Sequence, residues 1–164
     1  MRVFWLAGLA GTGKTSIAVT LCNLLQAQQE TILLGGAYFC SRTANDDART
    51  DARRILPTLA YVLAERSPRF AAALAEVLDT NSRAAFKPVE DQTNAPLQQP
   101  LAALASSTCV VVFVIDALDE CKEESEIKKL LLAITSLTCK TKVKFIVVAP
   151  RNTHQRYPHL KFSS

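Results

Sequence analysis

No run of roughly 18 apolar residues occurs anywhere in this 164-residue chain, which excludes a membrane-crossing helix and leads us to expect a soluble, cytoplasmic protein. The first apolar stretch, in MRVFWLAGLAGTGK, leads into glycines and a lysine without a small-residue cleavage site. It reads as a buried strand and not as a signal peptide. No C-x-x-C pair exists among the five cysteines, Cys22, Cys40, Cys109, Cys121 and Cys139. Their odd number and wide spacing exclude a disulfide framework and indicate reduced, mostly buried thiols. His154 and His159 lack a second ligand pair at metal-binding spacing, so no zinc site is expected. Charge of one sign is also in short supply, with 19 Lys+Arg against 15 Asp+Glu and a net charge of +4. Arg49, Arg53 and Arg54 are interleaved with Asp46, Asp47 and Asp51, which reads as a solvated face and not as a nucleic-acid patch. Internal repeats and low-complexity segments are absent.

What is present is a hydrophobic fraction of 49%, enough for the core of one domain. Val3 to Ala7 is short and apolar, as a strand buried on both faces would be. Ile17, Leu21, Leu24 and Leu25 then recur at helical spacing between Thr15 and Ala27, predicting an amphipathic helix on the sheet. Leu33 to Arg42 reads as a second strand entered through Gly35 and Gly36, and Asp46 to Asp51 as a turn. Ile55, Leu59, Val62 and Leu63 form one helical face. Ser67-Pro68 supplies an N-cap and first turn for a helix carrying Phe70, Leu74, Val77 and Leu78. A loop-rich connector, NSRAAFKPVEDQTNAP, precedes a short helix from Leu97 to Ala105. Cys109 to Ile115 is apolar and largely β-branched or aromatic, a strand. Glu123 to Leu137 forms a helix with Ile127, Leu130, Leu131 and Ile134 on one face and Glu124 paired to Lys128. Val143 to Val148 closes the series as a strand ended by Pro150. Apolar strands alternating with helices imply an α/β fold with a mainly parallel sheet covered on both faces.

Two motifs carry chemistry. GLAGTGKT, Gly8 to Thr15, matches G-x-x-x-x-G-K-[ST] between a strand and a helix. Its glycines let backbone N–H groups of Gly8, Leu9, Ala10, Gly11, Thr12, Gly13, Lys14, Thr15 and Ser16 converge on phosphate oxygens, reinforced by the helix dipole. Lys14 adds a charge for the outer phosphates and Thr15 a hydroxyl for Mg²⁺. VFVIDALDEC, Val112 to Cys121, ends a buried strand in three carboxylates. Asp116, at the carboxyl edge of the sheet, is the expected second Mg²⁺ ligand. Carboxylates this close repel unless a cation shares the space. Asp119 and Glu120 follow where one of them would orient water against the terminal phosphate.

Together FWLAGLAGTGKTSIA, LGGAYFCSR, RRILPTLAYVLA and VVVFVIDALDEC resemble the NACHT domain of STAND-type signalling ATPases, in the form abundant in large fungal NLR-like proteins. The resemblance runs from about residue 3 to about residue 149. It implies a P-loop NTPase of the ASCE type: a three-layer sandwich over residues 1–155, with a helical insertion between the second strand and the Walker B strand and an irregular tail at 156–164. It further implies an ATP/ADP- and Mg²⁺-dependent switch that hydrolyses slowly, with Lys14, Asp116, Asp119 and Glu120 catalytic and Arg42 near the nucleotide. The small Ala117 and the displaced pair Asp119-Glu120 are the features by which NACHT differs from its relatives. Members of the family close the next strand with small-Ser-Arg-Pro. Here VKFIVVAPRNTH puts Pro150 at that place, and Arg151, the candidate γ-phosphate sensor, one residue later. The helical and winged-helix segments, effector and repeat domains of full-length relatives, for which the resemblance implies oligomerisation, do not follow in this sequence, so a C-terminally truncated core is expected. The alternative function is a catalytically inactive remnant that binds nucleotide at most, or an interaction module. A small-molecule kinase is the third, set back by the want of an arginine-rich acceptor lid.

Overall fold

The computed structural model describes residues 3–28, 31–42, 47–82, 97–104 and 109–150. Its centre is a four-stranded, all-parallel sheet in the order β1-β4-β3-β2, formed by Val3–Ala7 (β1), Ile32–Phe39 (β2), Val110–Asp116 (β3) and Val143–Ala149 (β4). Helix α1, Lys14–Ala27, joins β1 to β2. Helices α2 (Ile55–Arg66) and α3 (Pro68–Thr80) and the single turn α4 (Gln99–Ala102) lie between β2 and β3, and α5 (Glu124–Lys140) between β3 and β4.

Topology fixes which face each helix covers. From β1 the chain crosses the whole sheet to β2, then returns stepwise through β3 to β4. Right-handed crossovers that run in opposite directions place their helices on opposite faces. The two cores follow this rule. Phe113, Ile115, Phe145 and Val147 pack with Ile55, Leu56, Leu59 and Leu63 of α2 and Leu130, Leu131, Ile134 and Leu137 of α5. Val112, Val114 and Val148 pack with Ala18 and Leu25 of α1. Alternate residues of a strand point to opposite faces, so Asp116, in step with Val112 and Val114, is on the α1 side. Phe113 and Phe145 are register partners on neighbouring strands, with ring centroids 5.1 Å apart.

Several expectations hold in outline and shift in detail. The Ser67 hydroxyl accepts from the Phe70 N–H at 3.3 Å and Pro68 opens α3, as the cap signature requires. On α1 the buried stripe is Ala18, Leu21, Cys22 and Leu25, one residue round from the expected one. Ile17 and Leu24 are 51% and 59% exposed. Both stripes satisfy helical spacing, and small Ala18 permits the closer approach to the sheet. β2 stops at Phe39, leaving Cys40, Ser41 and Arg42 beyond it. Gly35 and Gly36 lie inside the strand at a register shift between Leu34 and Gly36, not at its entrance. A Cβ on Gly35 would stand 2.6 Å from Phe113 Cε1, and one on Gly36 3.2 Å from Leu59. Gly35 thus admits β3 at a distance that no Cβ would allow, whereas a Cβ on Gly36 would press on α2 by a few tenths of an ångström. Arg66 donates to the Leu34 carbonyl at 2.9 Å, beside the shift. β3 runs one residue further than expected, through Asp116, and α5 three residues further, to Lys140. An ion pair on α5 joins Lys129 to Glu126 at 2.9 Å. Of the five free cysteines only Cys40 and Cys121 are buried, and Cys139 is exposed, so the thiols are less buried than their spacing suggested. The connector beyond Ser82, Asp46, Arg151, both histidines and the tail fall outside the described residues. Among the described residues, no helix is long and apolar enough to cross a membrane.

Candidate functional site

The glycine-rich loop and the acidic turn leave the carboxyl edge of the sheet, where ligands of open α/β sheets bind. Ala7 is register partner to Ala149 and Asp116 to Val148, so β1 and β3 end at nearly the same height on either side of β4. Two strand spacings put their ends about 10 Å apart.

From Gly8 the loop turns back to α1 through two residues with positive φ, Gly11 at 77° and Gly13 at 80°. Only glycine adopts this backbone at no steric cost. The Thr12 hydroxyl donates to the Leu9 carbonyl at 2.8 Å and holds the turn closed. Gly13 caps α1 and its carbonyl accepts from Ile17 N–H at 3.0 Å. The first-turn N–H groups of Lys14, Thr15 and Ser16 therefore lack intrahelical acceptors, at a helix end that carries no acidic side chain. Lys14 folds over the loop and donates from Nζ to the Gly8 carbonyl at 3.1 Å and the Leu9 carbonyl at 2.6 Å. An ammonium has three donors, so one remains. Residues 9–13, Thr15 and Ser16 are exposed, Leu9 to 78%. The loop is open to a ligand.

Asp116 is only 2% exposed. Its backbone carbonyl accepts from Cys40 N–H at 3.0 Å. Its carboxylate has no hydrogen bond or ion pair among the described residues. Its oxygens are not among the fully enclosed, unpartnered side-chain atoms and so reach the space at the sheet edge, where a cation could join them. Thr15, exposed at the start of α1, has the hydroxyl needed as a second ligand, so the donor set fits a hard divalent ion such as Mg²⁺.

The chain then turns at Ala117, whose φ of 54° and ψ of 41° are left-handed. For alanine, as for any residue with a Cβ, this costs about 1–2 kcal/mol. Ala117→Gly should raise stability by up to about 1 kcal/mol, against the usual loss of about 0.5–1 kcal/mol for such a change. Chemical denaturation checks the sign. Leu118 to Glu120 form one 3-10 turn, closed by Glu120 N–H to Ala117 O at 2.8 Å and Cys121 N–H to Leu118 O at 3.2 Å.

The two acids of the turn differ. Glu120 Oε2 accepts from Arg42 N–H at 2.7 Å, which directs it to the end of β2. Burial pushes the Asp119 carboxyl above its ordinary range. The carboxylate's hydrogen bond from its own backbone N–H opposes the shift, Glu120 adds to it, and the charges of Lys14 and Arg42 oppose it. Asp119 thus feels the loop lysine across the edge. Arg42, the residue at the end of the second-strand motif, donates from Nε to Glu120 O at 3.0 Å and from Nη2 to Asp119 O at 2.9 Å. Arg53 pairs with Asp51 at 2.9 Å, consistent with a solvated face. Sequence reasoning did not find the buried Cys40–Cys121 pair, with Sγ atoms 3.6 Å apart, although both motifs that carry these cysteines were in view. The shared hydrogen bond and burial push the Cys40 thiol up, so it stays neutral and joins β2 to the turn.

A cavity of about 410 Å³ at the opposite edge, lined by Leu101, Cys109, Val111, Cys139, Lys142 and Val143 among others, is remote from this chemistry and contains none of it.

The model of the nephrocystin 3 N-terminal family matches residues 1–149. The chain belongs to that family. The match takes in the glycine-rich loop, the acidic turn and all four strands, and it is to this family and not to NACHT itself. No curated protein and no solved structure matches the chain.

Proposed function

We propose that the chain binds ATP or ADP with Mg²⁺ and acts as the nucleotide core of a STAND-type switch resembling NACHT, hydrolysing slowly. The observation that carries this reading is Asp116, 2% exposed at the end of β3, on the same sheet edge and face as a glycine-rich loop that opens α1. In these terms the loop is a Walker A motif and VFVIDALDEC a Walker B motif, on a sandwich of the P-loop type. Loop N–H groups and the third Lys14 donor would hold the phosphates. Thr15 and Asp116 would hold Mg²⁺, which when bound offsets phosphate charge. Asp119, which feels the Lys14 charge while Glu120 is engaged by Arg42, would accept the proton of the attacking water. A switch needs differential contacts to the γ-phosphate and not fast turnover. The base is adenine by resemblance alone.

Calorimetric titration of the chain with Mg·ATP and Mg·ADP tests the reading. Lys14→Ala should weaken binding about 10–100-fold, the worth of a charge-assisted contact. Absence of binding, or equal binding by the variant, removes the proposal. Phosphate release should be lost in Asp119→Asn and retained in Glu120→Gln. The active form of Asp119 is the carboxylate, so release should fall on the acid side at a pH above the ordinary aspartate value of about 4. Glu120→Gln removes one of the charges that raise Asp119 and should move that limb to lower pH. A chain that binds nucleotide without releasing phosphate is the inactive remnant.

A further inference from the structure

We propose that Arg42 is a positioning residue for hydrolysis: it holds the Leu118–Glu120 turn so that Asp119 faces the nucleotide, and it does not touch the nucleotide itself. The inference rests on the nucleotide reading above and assigns a role that the sequence motif left open.

Three bonds run from this one residue to the turn, across 77 or 78 positions of sequence. Its backbone N–H reaches Glu120 Oε2 at 2.7 Å, Nε reaches the Glu120 carbonyl at 3.0 Å and Nη2 the Asp119 carbonyl at 2.9 Å. Two donors fixed in one guanidinium plane meet two successive carbonyls, which sets the orientation of the turn as well as its distance. Lysine, a point charge with rotatable donors, lacks that fork. The turn needs an external hold. It begins at a left-handed alanine and its internal closure is two bonds, of 2.8 and 3.2 Å. Strained backbone persists only when its surroundings over-determine it.

Engaging the Glu120 carboxylate also keeps that acid at the end of β2, while Asp119 is left within range of the Lys14 charge. Cys40 N–H to Asp116 O at 3.0 Å and the Cys40–Cys121 contact anchor the same strand end to the same turn. Arg42 is thus mounted on a fixed point. Two of the five guanidinium N–H donors are engaged by carbonyls of the turn, which holds the side chain against the turn; the affinity of the Arg42 variants decides whether the others reach the nucleotide.

The test compares the full chain with Arg42→Ala and Arg42→Lys. Three readouts are needed: Mg·ATP affinity, single-turnover phosphate release, and hydrogen exchange of the 117–122 amides without nucleotide. Arg42→Ala should keep affinity within about twofold and lose about 10–100-fold in release, the scale of a misplacement near 1 Å. Arg42→Lys should fall between it and wild type. Millimolar ethylguanidinium should restore part of the release in Arg42→Ala, which repair of a merely unstable fold would not do. Exchange at 117–122 should accelerate while the strands stay protected. A loss of affinity of about tenfold or more with unchanged exchange would make Arg42 a nucleotide ligand and overturn the proposal, as would unchanged release. Should wild type bind no nucleotide, the functional reading fails separately. Exchange then decides alone: faster exchange keeps Arg42 as the holder of the turn, and unchanged exchange refutes it.

Discussion

Asp116→Asn is expected to lower Mg²⁺-dependent phosphate release about 10²–10³-fold, the cost of removing one electrostatic stabiliser from a reacting centre, while moving the melting temperature of the nucleotide-free protein by less than about 2 °C. Asp116 ends β3 at 2% exposure, and its carboxylate makes no hydrogen bond or ion pair to another described residue that would be lost. Asparagine keeps the shape, removes the charge and still offers a carbonyl oxygen. A change of about 1 kcal/mol would show as about 2–4 °C in a domain of this size. Scanning calorimetry and a phosphate-release assay on the same preparation read both. A clearly lower melting temperature would mean that the carboxylate is satisfied in the fold and serves structure. Unchanged release would remove it from the metal site. Lost release with kept stability distinguishes a functional aspartate from one that merely caps a strand.

How much of this was legible in the sequence depends on how local each signal is. GLAGTGKT is a continuous octet whose glycines, lysine and threonine act within one turn of backbone, and Gly11 and Gly13 take the positive φ that the pattern implies. β3 announces itself by seven consecutive apolar or β-branched positions, and parity along it places Asp116 on the α1 side once the helices are assigned to faces. The buried stripe of α1 was not readable. Ile17, Leu21, Leu24 and Leu25 and Ala18, Leu21, Cys22 and Leu25 both satisfy a 3.6-residue period, and only the distance to the sheet chooses between them. Long-range partners were still less accessible. Arg42 and Glu120 are 78 residues apart, and nothing in FCSR or DALDEC states that one motif grips the other. Their cysteines were a signal of sorts, because Cys40 stands two residues before Arg42 and Cys121 directly after Glu120.

Gly35→Ala should destabilise the fold by about 3 kcal/mol or more, at the upper end of overpacking effects, whereas a glycine-to-alanine change at a compatible site gains about 0.4–1 kcal/mol. The added methyl would stand 2.6 Å from Phe113 Cε1, 2.7 Å from Val111 Cγ1 and 2.9 Å from Phe113 Cζ. Neither neighbour yields easily. Phe113 is fully buried and stacked at 5.1 Å on Phe145, and Val111 is β-branched with one stiff torsion. Moving β2 outward instead would strain the Arg66 bond to Leu34 and the Arg42 bonds to the acidic turn. The loss should therefore extend to phosphate release even at temperatures where the variant stays folded. Gly11→Ala gives the contrasting control. Nothing lies within 4 Å of a Cβ there, and the obstacle is the φ of 77°, so its cost should be about 1–2 kcal/mol of backbone strain. Phe113→Leu introduced beside Gly35→Ala relieves the steric conflict and should recover at least about 1 kcal/mol, a coupling that denaturant titration of the double-mutant cycle resolves. Additive losses would mean that the strand absorbs the methyl by shifting, and that the bulge at Gly35 is not set by contact with Phe113.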